Sequence, residues 1–179
     1  IDKYFNKMLN YLKIIIPLIF LIFFSQPLKS EEEKENINDH ELSFHTGMFD
    51  FSDDGQRASL FGFEHQNENL KRESFLGTLS PITGFMLTEN SAGYVYTGVQ
   101  AQYKIGKLNF IPSFAPGYYE KGDGKDLGHT LEFKSELQFS LDLSSSTELG
   151  FSYNHISNAS LGDKNPGANS YMFNFIKQF

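Results

Sequence analysis

The chain has 179 residues with a formal net charge of -7, 19 Phe and 9 Tyr, and neither Trp nor Cys. That length fits one domain with a sizeable core or one small barrel, and the missing cysteine rules out a disulfide or a thiolate metal site. An acidic chain without basic runs is unsuited to nucleic acid, because phosphate binding needs clustered Lys and Arg.

Lys3, Lys7 and Lys13 precede the apolar run Ile14 to Phe24, and polar residues follow through Ser30. A positive start and a short apolar run fit a secretory signal peptide over residues 1–30, since a spanning helix needs about 20 apolar residues. Met8 is a candidate start. The bulky Leu28 ahead of a cut after Ser30 keeps an uncleaved membrane anchor as the alternative. Glu31-Glu32-Glu33-Lys34-Glu35-Asn36 then opens a solvated polar leader over residues 31–41.

From Leu42 onward the pattern changes to alternating segments of about ten residues, broken by Gly, Asn, Asp, Ser and Pro clusters. Eight are expected: Leu42 to Phe51, Arg57 to Asn67, Ser74 to Leu87, Gly93 to Ile105, Leu108 to Tyr118, His129 to Leu141, Thr147 to Ser157 and Asn169 to Phe179. In the sixth, Leu131, Phe133, Leu137 and Phe139 share one face, while Glu132, Lys134, Glu136 and Gln138 share the other. A soluble sandwich would turn the apolar face inward; a membrane barrel turns it to lipid and the charges to the lumen. Export, long strands and an aromatic share of 16% favour the barrel. The expected fold is therefore all-β, an eight-stranded antiparallel transmembrane barrel over residues 42–179, whose interior is filled by side chains. The last segment agrees: Tyr171, Phe173, Phe175 and Phe179 share a face, which resembles the terminal assembly signal of bacterial outer-membrane barrels. An ordinary C-terminal edge strand is the alternative, although an edge so aromatic would invite aggregation.

The seventh segment carries the candidate chemistry. His155 and Ser157 lie two residues apart, so on a strand they share a face. Leu149, Phe151 and Tyr153 have the same parity, which aims the pair outward and turns Asn154 to the lumen. With both termini in the periplasm, the loop Asn158 to Ala168 is extracellular. The pair then lies at the level of the outer-leaflet headgroups, where exposed polar groups are costly unless a function compensates.

The run His155-Ile156-Ser157-Asn158-Ala159, followed by Asn165-Pro166-Gly167-Ala168-Asn169-Ser170 and an aromatic terminal strand, resembles the PagL family of lipid A deacylases. Phe61-Gly62-Phe63-Glu64 and Leu127-Gly128-His129 extend the likeness more loosely over most of the chain after residue 41. The resemblance implies an outer-membrane esterase that hydrolyses the 3-position acyl chain of lipid A without a metal or other cofactor. It implies Ser157 as nucleophile, His155 as general base and Asn158 as a backbone or amide donor to the oxyanion. Family members orient the histidine with a glutamate about twelve residues after the serine, and here Asn169 stands at that position. An amide oxygen can fix the histidine tautomer but stabilises an imidazolium less than a carboxylate does.

The expected partner is lipid A or lipopolysaccharide in the outer leaflet, and the sequence leaves a homodimer open. His45, His65 and His129 lack ligand spacing and read as structural. Gly122-Asp123-Gly124-Lys125-Asp126 reads as an exposed turn, because it lacks the terminal Glu of a calcium loop. Two further readings remain at this stage: a non-catalytic structural or lipid-binding barrel, and a soluble exported sandwich or carrier.

Overall fold

The structure is a computed structural model that describes residues 40–179. The signal segment and residues 31–39 of the leader lie outside the described residues.

Ten strands follow in order: β1 (His40–Phe49), β2 (Ala58–Asn67), β3 (Arg72–Ser74), β4 (Gly77–Thr88), β5 (Gly93–Ala101), β6 (Tyr103–Ile105), β7 (Leu108–Glu120), β8 (Leu131–Ser144), β9 (Thr147–Ser157) and β10 (Ala168–Gln178). Eight of them make the wall, in the antiparallel order β2-β1-β10-β9-β8-β7-β5-β4, and pairing of β2 with β4 closes the ring. β3 forms a short hairpin with the start of β4, and β6 continues β5 against β7. The closed eight-stranded antiparallel barrel is thus as the alternation predicts.

Several boundaries differ by two or three residues, and the sixth segment runs over Leu131–Ser144 instead of His129 to Leu141; two shifts change the layout. β1 begins at His40 and its Glu41 pairs with Gln178, so the wall takes in the last two residues assigned to the leader. The third segment starts at Gly77, because Ser74 to Gly77 is a turn: Gly77 has φ +90, and the Ser74 hydroxyl donates to the Gly77 carbonyl at 2.7 Å. Phe75 and Leu76 make that turn look like strand in the sequence.

Side chains divide by parity as the sixth segment requires. Along β8, Glu132 and Lys134 are fully buried and Glu136 and Gln138 nearly so, while Leu137, Phe139 and Leu141 are about half exposed. Phe44, Phe61, Phe114, Phe151, Phe173 and Phe175 extend the exposed apolar surface around the wall. An apolar exterior around a polar interior is stable where the surrounding solvent is lipid. Wall strands of 9 to 14 residues suit it: 11 residues at ~3.3 Å each, tilted ~40°, span roughly 28 Å.

The lumen holds polar clusters beside an apolar core that includes Ile82, Met86, Tyr94, Ile156 and Met172. Lys134 Nζ lies 3.3 Å from Glu64 Oε2 and 3.6 Å from Glu136 Oε2, and 4.0 Å from the centre of the Tyr96 ring. Tyr96 donates to Glu64 at 2.9 Å, and Asn154 Nδ2 donates to Glu136 at 3.2 Å. Gly84 makes room for this cluster, since a Cβ there would stand 2.6 Å from the Tyr96 hydroxyl oxygen. Nearer the terminal end, Glu148 accepts from Asn109 Nδ2 at 3.0 Å and from Ser140. Buried charges persist only when paired and hydrogen-bonded; the Lys134–Glu64–Glu136 cluster meets that demand, whereas both carboxyl oxygens of the buried Glu132 lack a hydrogen-bond partner among the described residues.

Candidate active site

The site sits at the end of the barrel away from the termini, where β9 ends and β10 begins. Leu149, Phe151 and Tyr153 are 42–49% exposed while Ser152 and Asn154 are fully buried, so the outward row is real, and half-buried His155 and Ser157 continue it. Antiparallel register sets Asn169 directly opposite His155. The chain comes back at this position because Gly167, at φ +63, turns it into β10.

His155 Nδ1 and Asn169 Oδ1 are 2.8 Å apart. The same oxygen accepts from the Tyr153 hydroxyl at 2.8 Å, while Asn169 Nδ2 donates to Ser52 Oγ at 3.0 Å. Those partners assign the amide orientation. With an acceptor facing Nδ1, that nitrogen carries the proton, and in the neutral ring Nε2 is the nitrogen with the lone pair. The imidazole is thereby set up as a base on the side away from Asn169.

Ser157 shares the outward face but makes no hydrogen bond to His155 among the described residues. Two residues of strand separate their Cα atoms by roughly 6.6 Å, so contact depends on the side-chain rotamers, and such bonds commonly tighten only when substrate is bound. The wall of Gly167 limits the ring's freedom: a Cβ there would stand 2.8 Å from His155 Cε1 and 3.3 Å from Nε2. Gly167→Ala should therefore push the imidazole off its position, on top of a cost of about 1 kcal/mol for a left-handed alanine. The expected result is at least a tenfold loss of esterase turnover in a barrel that still shows heat-modifiable migration on gels.

Of the two donors expected of Asn158, the amide is turned away from the outer face. Its side chain has the inward parity and is fully buried, and Nδ2 donates to the carbonyls of Leu127 at 2.8 Å and Lys164 at 2.9 Å. The amide is thus spent on bracing two loops and does not reach the outer face. Its backbone N–H donates to Asn165 Oδ1 at 3.1 Å. Ala159 and Ser160 follow at φ +52 and +63, closed by a 3.0 Å bond from Leu161 N–H to the Asn158 carbonyl. Two non-glycine residues in the left-handed region cost roughly 1–2 kcal/mol each, and strain of this kind gathers at functional sites.

The connection between β1 and β2 supplies groups that sequence reasoning missed. Asp50 is 1% exposed. Its Oδ1 accepts from the Asn169 backbone N–H at 3.2 Å and from Ser52 Oγ at 3.4 Å, and its Oδ2 pairs with Lys125 Nζ at 2.5 Å. Lys125 comes from the Gly122–Asp126 segment, which is therefore no simple exposed turn: its lysine is only 12% exposed. Phe51 packs on Tyr153 and Tyr171, with ring centres 6.2 and 5.5 Å apart. The available signal was topological: a closed barrel sets the end of the first strand beside the start of the last.

A second tie crosses the loops. Lys164 Nζ lies 2.8 Å from Asp126, which also accepts from Gly128 N–H at 2.9 Å. The Lys164 bond, then the Gly128 bond, holds this carboxyl below its ordinary value. The other histidines have structural partners: His45 bonds Asn174 at 2.9 Å, His65 bonds His40 at 3.0 Å, and His129 Nδ1 accepts from Leu131 N–H at 2.9 Å.

Comparison with known proteins bears on the fold and the family. A crystal structure of the outer membrane enzyme PagL superposes with a TM-score of 0.61 at 16% identity, covering 78% of this chain and 99% of the other. A de novo designed transmembrane β-barrel gives a TM-score of 0.53 at 11% identity over 83% of this chain and 100% of that one. At such identities these likenesses speak for the barrel fold. A search of curated proteins gives no match. The profile of the lipid A 3-O-deacylase (PagL) family matches residues 40–177, the whole wall but its last residue, and the chain belongs to that family.

Proposed function

We infer that this barrel is an outer-membrane serine esterase that hydrolyses the 3-O-linked acyl chain of lipid A. The observation that carries the reading is the outward His155–Asn169 pair on the row that ends at Ser157. Together with the family, it supports chemistry at the leaflet boundary and not within the lumen.

In this reading Ser157 Oγ attacks the ester carbonyl carbon while His155 Nε2 takes the hydroxyl proton. The C–O bond to the sugar 3-oxygen then breaks, and the imidazolium returns the proton to that oxygen. Water hydrolyses the acyl-serine by the same base, releasing the fatty acid and restoring the hydroxyl. Asn169 Oδ1 steadies the imidazolium through Nδ1–H. The Asn158 backbone N–H serves the oxyanion by exchanging its Asn165 acceptor for the developing charge; the buried amide has no part in this. All of these groups come from one chain, so the chemistry does not call on a second copy.

The test is the mass of lipid A extracted from cells with and without the protein. Expression should remove the mass of one 3-hydroxyacyl group. Unchanged lipid A would instead favour a non-catalytic barrel, the reading that the amide at position 169 motivates.

A further inference from the structure

The carboxylate that Asn169 lacks is present nearby, one hydrogen-bonded step further on. From the imidazole, donors run in one direction: His155 Nδ1–H to Asn169 Oδ1 at 2.8 Å, Asn169 Nδ2–H to Ser52 Oγ at 3.0 Å, and Ser52 Oγ–H to Asp50 Oδ1 at 3.4 Å. Each group uses its donor toward Asp50 and its acceptor toward His155. A second branch reaches the same oxygen, because the Asn169 backbone N–H also donates to Asp50 Oδ1 at 3.2 Å.

We propose that Asp50 and Ser52 are positioning residues for the deacylase site: Asp50 is the acid of a four-membered relay, acting on His155 through Ser52 and Asn169. Three features support this over an ordinary turn carboxylate. Asp50 is 1% exposed although it lies in a connecting loop, and burial there costs free energy unless the charge is used or paired. Lys125 holds Oδ2, so the negative end left over, Oδ1, is the one that faces Asn169. Asp50 also sits at φ +48, a left-handed conformation that Asp tolerates better than most residues and that aims the carboxylate back toward β10.

The relay changes what Asn169 can do. An isolated amide stabilises an imidazolium only through its dipole, whereas a chain of aligned hydrogen bonds ending on an anion polarises each member. The amide is also locked: with Nδ2 tied to Ser52, the oxygen stays on the histidine and holds the Nδ1–H tautomer. The serine triad therefore survives the loss of the acid at position 169 by drawing one from the β1–β2 connection.

This inference rests on the deacylase reading, and its test separates the two. The purified full chain, folded in detergent, is assayed for fatty-acid release from lipopolysaccharide as wild type, Ser52→Ala, Asp50→Asn, Asn169→Asp and Ser52→Ala with Asn169→Asp. Ser52→Ala and Asp50→Asn should each lower kcat by roughly tenfold or more with KM unchanged, as expected for an interaction that strengthens in the transition state. Asn169→Asp places a carboxylate on His155 directly, so adding Ser52→Ala to it should cost nothing further. In parallel, 15N NMR of the His155 ring, identified by its loss in His155→Ala, should show one Nδ1–H tautomer in the wild type and a tautomer mixture in Ser52→Ala. Wild-type kcat and an unchanged ring spectrum in Ser52→Ala and Asp50→Asn would overturn the relay. So would an equal loss from Ser52→Ala in both backgrounds, which would mark Ser52 as structural. If the wild type releases no fatty acid, the deacylase reading fails, while the ring spectra still decide the relay.

Discussion

Ser157→Ala should abolish acyl release, and His155→Ala should lower it by roughly 10²–10⁴-fold, the range over which a general base contributes. At 1.36 kcal/mol per decade the histidine loss corresponds to about 3–5 kcal/mol of transition-state stabilisation. Without its hydroxyl the site has no nucleophile to carry the acyl group, so the serine loss is the larger. Combining both changes should be no worse than Ser157→Ala alone, because members of one catalytic unit do not add. The fold should be indifferent to either change. Both side chains face outward and are half-buried, neither belongs to the lumen network, and the wall bonds of β9 and β10 are made by backbone. Single-turnover release of 3-hydroxy fatty acid from lipopolysaccharide, with heat-modifiable migration as the folding control, reads both effects. A variant of either residue that retained wild-type release would remove it from the mechanism.

Lys134→Ala acts on the opposite face of the wall and should show the largest loss of stability. The ammonium is fully buried between Glu64 and Glu136 and lies over the Tyr96 ring. Removing it leaves two carboxylates in the lumen with no cation, and breaking a buried pair in this way costs about 3–5 kcal/mol. The prediction is a matching drop in the free energy of unfolding in urea from detergent or bilayer. Lys134→Met combined with Glu64→Gln and Glu136→Gln removes all three charges together and should recover most of the loss, because desolvation no longer opposes burial. If the single change is neutral, the lumen is wetter than a side-chain plug allows.

Much of this architecture was legible because a barrel wall obeys a strict period of two. The alternation of Leu131 to Phe139 with Glu132 to Gln138 gave both the strand and its inverted polarity. The row from Leu149 to Tyr153 gave the direction of His155 and Ser157. Asn169, which the family resemblance put at the acid's position, is set opposite His155 by the register.

What stayed hidden belonged to connections, where no period applies. Phe75 and Leu76 disguised the turn at Ser74 to Gly77, since exposed apolar residues at a hairpin tip look like strand. Asp50, Ser52 and Lys125 come from two separate loops, and only closure of β1 on β10 and the fold of the Gly122–Asp126 segment bring them to Asn169. Asn158 is the instructive case. Parity alone turns the residue after an outward Ser157 inward, and its amide is found bound to Leu127 and Lys164. Of the backbone and amide donors that the likeness to a family motif had offered, parity takes the amide away from the outer face.

The most direct measurement is mass spectrometry of lipopolysaccharide incubated with the purified barrel, wild type beside Ser157→Ala. The wild type should convert lipid A to a species lighter by one 3-hydroxyacyl chain, with that acid released in equal amount, and the variant should leave lipid A intact. Loss of the chain at the same rate from both proteins, or an unaltered lipid A with the wild type, would contradict the serine esterase reading.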